Sequence, residues 1–276
     1  WLRVPETMRF ILRGKPRRWV TGKDVILSVI GRIGVDGARY RAMEYAGEGL
    51  RHLSMADRLS VANMTVEAGG KNGIMPVDDV ARAYLAGRVA RPYVAYESDV
   101  DAEFHSVMDV DLDSLPPLVA APFSPANSMP AAEARGVKVT QVFIGSCTNG
   151  LLPDLRQAAG ILRGRKLAPG VRMIVTPASQ EVYLAALREG LIETFIELGA
   201  AVSTPGCGAC AGVHTGVLGP DDVCVSTTNR NFHGRMGHFD SRTYLANAYV
   251  AAASAVAGEI VDPAAVCGIG PGEPLP

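Results

Sequence analysis

Strand-like and helix-like segments alternate along the second half of the chain. The strand-like segments are short apolar runs rich in β-branched residues, and the segments between them carry turn residues or helical periodicity. We predict strands at 137–144, 171–176, 201–204 and 223–227, with helices at 155–162 and 180–188. Because strands that alternate with helices build parallel sheets, this order predicts an α/β domain with a mostly parallel sheet.

Prolines are concentrated in the middle of the chain, at positions 116, 117, 122, 125 and 130. Neither a helix nor a central strand accepts so many prolines without cost, so we expect a linker over residues 116–134. The chain then divides into a first α/β domain, residues 1–115, and a second α/β domain, residues 135–276.

The first domain contains helix and strand patterns of its own. We predict helices at 23–30 and from Ser54 to Gly69, and a strand at 107–112. Ser54 and Asp57 have the spacing of a capping box at the start of the second helix. Asn63 and Glu67, four residues apart on this helix, lie on one face. From spacing alone, a polar edge in water is the simpler explanation of that pair.

The charges of the chain nearly cancel, with 27 Lys and Arg against 28 Asp and Glu. We therefore expect neither a nucleic acid nor an anionic membrane as a partner. No apolar stretch reaches the roughly 20 residues of a membrane-spanning helix, and no signal peptide is recognisable. The five cysteines do not follow a disulfide spacing, which predicts a cytoplasmic protein. A first residue other than Met leads us to expect a fragment.

Three of the predicted strands are followed by turns with thiol or polar side chains. Cys147 lies in the first turn, Cys207 and Cys210 lie in the second, and residues 228–232, Thr-Asn-Arg-Asn-Phe, form the third. In open parallel sheets the ligand site lies at the carboxyl ends of the strands. We expect these turns to converge there.

The cysteine pair is ambiguous by itself. Cys207 and Cys210 form a Cys-x-x-Cys motif, which is compatible with a redox dithiol, half of a zinc site or half of an iron–sulfur site. Cys147 supplies a third thiol, and no fourth ligand is evident. An iron–sulfur cluster held by three thiolates keeps one iron open as a Lewis acid, and nearby glycines allow close backbone approach.

Arg230 and Arg235 offer two guanidinium groups of the kind that bind carboxylates in bidentate fashion. A substrate with several carboxylates suits them. Ion pairs that tie down a loop explain the two arginines equally well.

Three motifs together carry a family resemblance. They are Gly-Ser-Cys-Thr-Asn at 145–149, Gly-Cys-Gly-Ala-Cys at 206–210, and Thr-Asn-Arg-Asn-Phe-x-Gly-Arg-Met-Gly at 228–237. In this order they resemble the aconitase and isopropylmalate isomerase family, and Asn63 with Glu67 resembles a polar pair on an earlier helix of that family. The third motif is more similar to the two-subunit branch, isopropylmalate dehydratase or homoaconitase, than to single-chain aconitase.

The resemblance implies two α/β/α layered domains of the aconitase type and a 4Fe–4S cluster on Cys147, Cys207 and Cys210. It implies a hydro-lyase that dehydrates and rehydrates a hydroxy polycarboxylate, with 3-isopropylmalate in leucine biosynthesis as the first expectation. The implied roles are substrate binding for Arg230, Arg235, Asn63 and Asn229, and catalysis for Glu67. Single histidines are more often structural, so His214, His233 and His238 receive no role.

Two parts of the family pattern are not found in this sequence: a preceding domain with an Asp-Ser-His-Thr motif, and the swivelling domain, which a small subunit carries in the two-subunit branch. We therefore expect a chain that binds a cluster but is inactive without the missing domain and a small subunit. The preceding domain is either truncated or a separate chain. The alternatives are homoaconitase, aconitase or a methylmalate-type dehydratase and, in another class, a non-catalytic iron–sulfur or zinc module or an iron-responsive binding protein.

Overall fold

The computed structural model describes residues 1–268, which form two sheets and the helices around them. The first sheet contains β1 (Thr7–Arg13), β2 (Ala42–Ala46), β3 (Asn72–Ile74) and β4 (Ser106–Asp111). The second contains β5 (Leu118–Ala120), β6 (Ser128–Pro130), β7 (Gln141–Gly145), β8 (Arg172–Thr176), β9 (Ala201–Val202), β10 (Val223–Ser226) and β11 (Arg242–Ala246). The α-helices are α1 (Gly22–Ile33), α2 (Met55–Met64), α3 (Asp79–Leu85), α4 (Ser146–Asn149), α5 (Leu152–Leu162), α6 (Gln180–Arg188), α7 (Leu191–Glu197), α8 (Ala248–Ala257) and α9 (Pro263–Cys267).

The first sheet has the strand order β3-β2-β1-β4, and all three pairings are parallel. Its buried face, with Phe10 and Leu12 on β1, packs in one core with apolar residues of α1 such as Ile26 and Ile30. The opposite face is polar, because Arg13 pairs there with Asp109. The strand predicted at 107–112 is confirmed as β4.

The second sheet has the order β6-β5-β11-β10-β7-β8-β9, in which the five strands from β11 to β9 are parallel and β5 and β6 are antiparallel. Residues of α5, α7 and α8 form the core against one face. On the other face Phe143 and Ile174 pack with loop residues Ala209, Leu218 and Met236. The α/β class with mostly parallel sheets is confirmed.

The proline-rich residues 116–134 form β5, β6 and a 3₁₀ turn at Ala131–Ala134. Pro130 is tolerated because β6 is an edge strand, where a missing N–H leaves no central ladder unpaired, and the other four prolines lie outside the strands. The domain limits at 1–115, 116–134 and 135–276 stay a prediction, and residues 269–276 of the last lie outside the described residues.

Three local predictions differ from the structure. The strand predicted from 137 begins at Gln141, because Val137 and Val139 pair instead with the segment after α8. The turn predicted at 145–150 contains the single helical turn α4. The helix predicted to reach Gly69 is α2 up to Met64, followed by a 3₁₀ turn over Thr65–Ala68. The Ser54–Asp57 capping box is confirmed.

Helix α1 lies between the two sheets. The core around it includes Leu118, Ala120 and Leu245, which belong to the second sheet. The Trp19 ring, just before α1, meets the ring of Tyr249 on α8 edge to face, with centroids 5.1 Å apart. Within residues 1–268, no helix is both long and apolar enough to span a bilayer.

Candidate functional site

Segments from both sheets meet at the carboxyl ends of β7 and β10. Cys147 lies on α4, directly after β7, and Asn229 and Arg230 follow β10. Cys207 and Cys210 lie in a loop with a 3₁₀ turn at Gly208–Ala211. The 3₁₀ turn after α2 brings Glu67 to the same place. The predicted convergence of these turns is therefore present.

Cys147 contacts the end of α2. Asn63 Nδ2 lies 3.5 Å from Cys147 Sγ, and Thr148 Oγ1 donates to Asn63 Oδ1 over 3.1 Å. Thr148, the residue after Cys147, thus orients the Asn63 amide. The nitrogen of that amide donates to the Cys147 thiol.

Cys210 contacts the loop after β10. Its Sγ lies 3.7 Å from Asn229 Oδ1 and 3.9 Å from Arg235 Nη2. Burial raises the pKa of the Cys210 thiol, and the Arg235 guanidinium acts in the opposite direction. Thiolate charges on Cys147 and Cys207 would raise the pKa of Cys210 further. Cys147 and Cys207 are exposed, and all five cysteines are free thiols.

Glu67 is the most buried carboxylate of the site, with a side chain only 2% exposed. Its Oε1 accepts from Arg230 Nε over 2.6 Å and from Asn229 Nδ2 over 2.8 Å. Burial raises the pKa of Glu67, and the hydrogen bond and charge of Arg230 oppose that rise. A carboxyl group so placed is suited to holding a proton above its ordinary pH range.

The backbone around the cysteines is unusual. Ser146 has φ of +69° and Gly208 has φ of +51°, the left-handed region that disfavours side chains. Two buried polar atoms beside the thiols, Ser146 Oγ and Arg235 Nε, have no hydrogen-bond partner within the described part of the chain. Unpaired donors next to thiols fit an additional group with acceptor atoms, such as the inorganic sulfides of an iron–sulfur cluster.

Within residues 1–268, no three Cys, His, Asp or Glu side chains are grouped as ligands of a single metal ion. The donor set of three thiols with adjacent N–H groups is the one that cluster chemistry uses. The residues present therefore fit a cluster by their chemistry.

A cleft of about 450 Å³ opens beside these residues. Both charged and apolar side chains form its wall: Val35, Asp36, Val66, Glu67, Arg230, Phe232 and Arg235. Val66 and Phe232 are exposed apolar residues, at 50% and 40%. The cleft can therefore take a small anion that also carries an apolar substituent.

Side-chain contacts join most of the residues predicted from the sequence in two groups, one around Cys147 and one around Glu67 and Cys210. Asn63 contacts Cys147, Asn229 and Arg235 contact Cys210, and Glu67 contacts Arg230. Their roles stay predictions. His233, which received no role, is stacked on Phe123 and Phe239.

Two buried residues that support the site were missed. Lys23 Nζ donates to the carbonyl oxygens of Thr227 and Thr228, and Thr227 Oγ1 accepts from the Gly145 N–H over 2.9 Å. Thr21 and Asp24 form a capping box that begins α1, with the same spacing as Ser54 and Asp57. The helix predicted at 23–30 already begins with Lys23, but neither that prediction nor the capping box gives the direction of the Lys23 side chain.

Comparison with known proteins gives consistent matches. A sequence model of the aconitase family (aconitate hydratase) matches residues 1–135 and 126–258. The chain is 54% identical over 263 residues to a 3-isopropylmalate dehydratase large subunit of Clostridium botulinum (strain Alaska E43 / Type E3), covering 95% of this chain and 63% of the relative. It is 56% identical over 263 residues to the protein of the same name from Moorella thermoacetica, covering 95% and 62%.

The chain thus spans less than two thirds of the length of these relatives. Among solved structures, aconitase X of Thermococcus kodakaraensis in its holo-form matches with a TM-score of 0.46 and 13% identity, covering 86% of this chain and 53% of that one.

Proposed function

Since this chain belongs to the aconitase family, we propose that it is the cluster-binding part of a 3-isopropylmalate dehydratase large subunit. The enzyme would isomerise a hydroxy polycarboxylate by removing water and adding it back at the neighbouring carbon, in leucine biosynthesis. One observation carries the proposal: a buried carboxylate, Glu67, accepts from Asn229 and Arg230, and Asn229 also contacts the Cys210 thiol.

Cys147, Cys207 and Cys210 would hold a 4Fe–4S cluster. When bound, such a cluster with one iron free of protein thiolates supplies a Lewis acid for the departure of a hydroxyl group. Support comes from the unpaired Ser146 Oγ and Arg235 Nε, which need an acceptor at this place.

Arg230 and Arg235 would bind the substrate carboxylates, and Asn63 and Asn229 would orient the groups around them. The Arg230 side chain is 35% exposed, so its guanidinium can bond Glu67 through Nε and still reach the cleft. Glu67 would donate a proton to the leaving hydroxyl group, which then departs as water. Both donors use its Oε1, which leaves Oε2 for the substrate.

The cleft wall favours 3-isopropylmalate over citrate-type substrates. Citrate and homocitrate carry three carboxylates, whereas isopropylmalate carries two and an apolar branch. Val66 and Phe232 are apolar, and Asp36 on the same wall would repel a third carboxylate. Homocitrate, citrate and methylmalate-type substrates remain the alternatives to be tested.

A small subunit with the swivelling domain would complete the site, since the relatives are large subunits by name. We therefore attribute the activity to a heterodimer and expect these residues alone to be inactive. The cytoplasm is the expected location, because the exposed Cys147 and Cys207 must stay reduced.

The test uses the full-length large subunit with its small subunit, reconstituted without oxygen. We expect about four irons per large subunit, and an electron paramagnetic resonance signal of a three-iron cluster after mild oxidation. Formation of the conjugated alkene is followed by ultraviolet absorbance with isopropylmalate, citrate and homocitrate. The expected preference is for isopropylmalate.

Cys147→Ser should lose the cluster, and Cys224→Ser, at a buried cysteine on β10, serves as its control. A clear preference for citrate or homocitrate would move the assignment within the family. A cluster that is indifferent to Cys147, or zinc in its place, would favour the non-catalytic module.

A further inference from the structure

Lys23 is a fully buried lysine in the first turn of α1. Its Nζ donates to the main-chain oxygen of Thr227 over 2.9 Å and also to that of Thr228. A residue of the first half of the chain thus binds the backbone at the end of β10, in the second sheet.

A buried ammonium group is costly. Burial lowers the pKa of Lys23 to about 7, whereas Asp154, Cys210, Asp24 and Glu67 favour its charged form. An apolar side chain of similar length would avoid the desolvation penalty. Hydrogen bonds to two carbonyl oxygens offset only part of the desolvation penalty, so packing alone does not explain a lysine at this position.

The two carbonyl groups lie where the site loop begins. Thr227 and Thr228 directly precede Asn229 and Arg230, the two residues that donate to Glu67. The Thr227 hydroxyl also donates to the carbonyl oxygen of Asn149, which ties the same point to the loop of Cys147. A shift of this backbone would therefore move both residues that donate to Glu67.

We propose that Lys23 is a positioning residue that fixes the backbone at Thr227 and Thr228, so that Asn229 and Arg230 meet both Glu67 and the substrate carboxylate. The inference rests on the proposed function for its kinetic part. Lys23 itself does not touch the substrate, and its effect on turnover passes through Arg230.

The kinetic test is a double-mutant cycle in the reconstituted full-length enzyme. Lys23→Met should lower kcat/KM for isopropylmalate about 10- to 100-fold, because a small displacement of a binding group has an effect of this order. Lys23→Gln, which keeps a donor nitrogen on a shorter side chain, should lose less. The matched control is Lys138→Met, an exposed lysine paired with Glu259 over 2.8 Å, which should leave kcat/KM unchanged.

Arg230→Gln decides how Lys23 acts. If Lys23 works through Arg230, the double variant Lys23→Met/Arg230→Gln should be within about threefold of Arg230→Gln alone. If the two losses multiply instead, Lys23 has a general structural role and the proposal is overturned.

Hydrogen exchange of the peptide over residues 226–231 gives a readout that does not need activity. Lys23→Met should exchange faster there than wild type and Lys138→Met, while the cluster's paramagnetic signal stays the same. Unchanged exchange would refute the inference. If wild type does not turn over isopropylmalate, the proposed function fails while this comparison still stands. If Lys23→Met does not fold, Lys23→Gln is compared in the same way.

Discussion

At the scale of a single residue, the spacing of Asn63 and Glu67 determined neither the burial of Glu67 nor its hydrogen-bond partners. Asn63 and Glu67 fit a solvated helix edge by spacing, yet the Glu67 side chain is only 2% exposed and has two donors. The donors come from 162 and 163 residues further along the chain. No local pattern contains that information, so only the family resemblance pointed to the pair.

Glu67→Gln should lower kcat about 10²- to 10⁴-fold, the usual contribution of a group that transfers a proton. The glutamine oxygen can still accept from Arg230 and Asn229, so we expect folding, cluster content and KM to change little. Initial rates with isopropylmalate, together with iron content, check this.

The matched control for that change is Glu189→Gln, since Glu189 pairs with Arg156 away from the site. Its kcat should equal that of wild type. If Glu67→Gln kept more than a third of the wild-type kcat, Glu67 would not handle a proton in the rate-limiting chemistry.

At the scale of elements, the loop that carries Cys207 and Cys210 depends more on Gly208 than on Gly206. A Cβ atom on Gly208 would lie 2.9 Å from Thr176 Oγ1 and 3.0 Å from the Phe143 ring, at a φ of +51°. A Cβ atom on Gly206 would meet nothing within 4 Å. The two glycines on either side of Cys207 therefore differ in how well they tolerate a side chain.

Gly208→Ala should displace the cysteine loop and lower the iron and acid-labile sulfide content of the reconstituted protein by half or more. The reason is the close approach to Thr176 and Phe143, added to a backbone conformation that costs alanine about 1 kcal/mol. Gly206→Ala is the matched control and should keep its cluster. Equal iron content in the two variants would mean that the loop adapts freely.

The elements themselves were largely predictable because their signals are local. The capping box at Ser54 and the strand β4 follow from spacing and alternation. The strand limits near Val137 were not predictable, because its partner Ile260 lies 123 residues away along the chain. The direction of the Lys23 side chain was not predictable for the same reason, because its two carbonyl acceptors lie 204 and 205 residues further along the chain.

At the scale of the whole molecule, the two sheets share buried polar contacts as well as a core. Asn247 caps α8 with its Oδ1, which accepts from the Val250 N–H over 2.9 Å. Its Nδ2 donates to Trp19 O over 2.7 Å and to Asp24 Oδ2 over 2.8 Å, and both partners belong to the first half of the chain. One side chain thus starts a helix of the second sheet and holds the start of α1.

Asn247→Asp keeps the cap oxygen but replaces the Nδ2 donor with an oxygen that faces the Asp24 carboxylate. Burial already raises the pKa of Asp24 to about 6. A second buried carboxylate beside it would raise the pKa of the pair further, because like charges at this distance disfavour double ionisation. We therefore expect a lower urea midpoint than wild type, with a larger difference at pH 8 than at pH 5.5.

The direction of this pH effect follows from proton linkage. A carboxyl group whose pKa is raised in the folded state contributes stability at low pH and loses it as the pH rises through the folded pKa. Asn247→Ser also keeps a capping oxygen and loses the donor to Asp24, but it adds no carboxylate. The lost hydrogen bond normally lowers the pKa of Asp24, so this midpoint should also fall more at pH 8 than at pH 5.5, but by less than that of Asn247→Asp. If the Asn247→Asp midpoint at pH 8 were no lower than that of Asn247→Ser, the added carboxylate would not face Asp24.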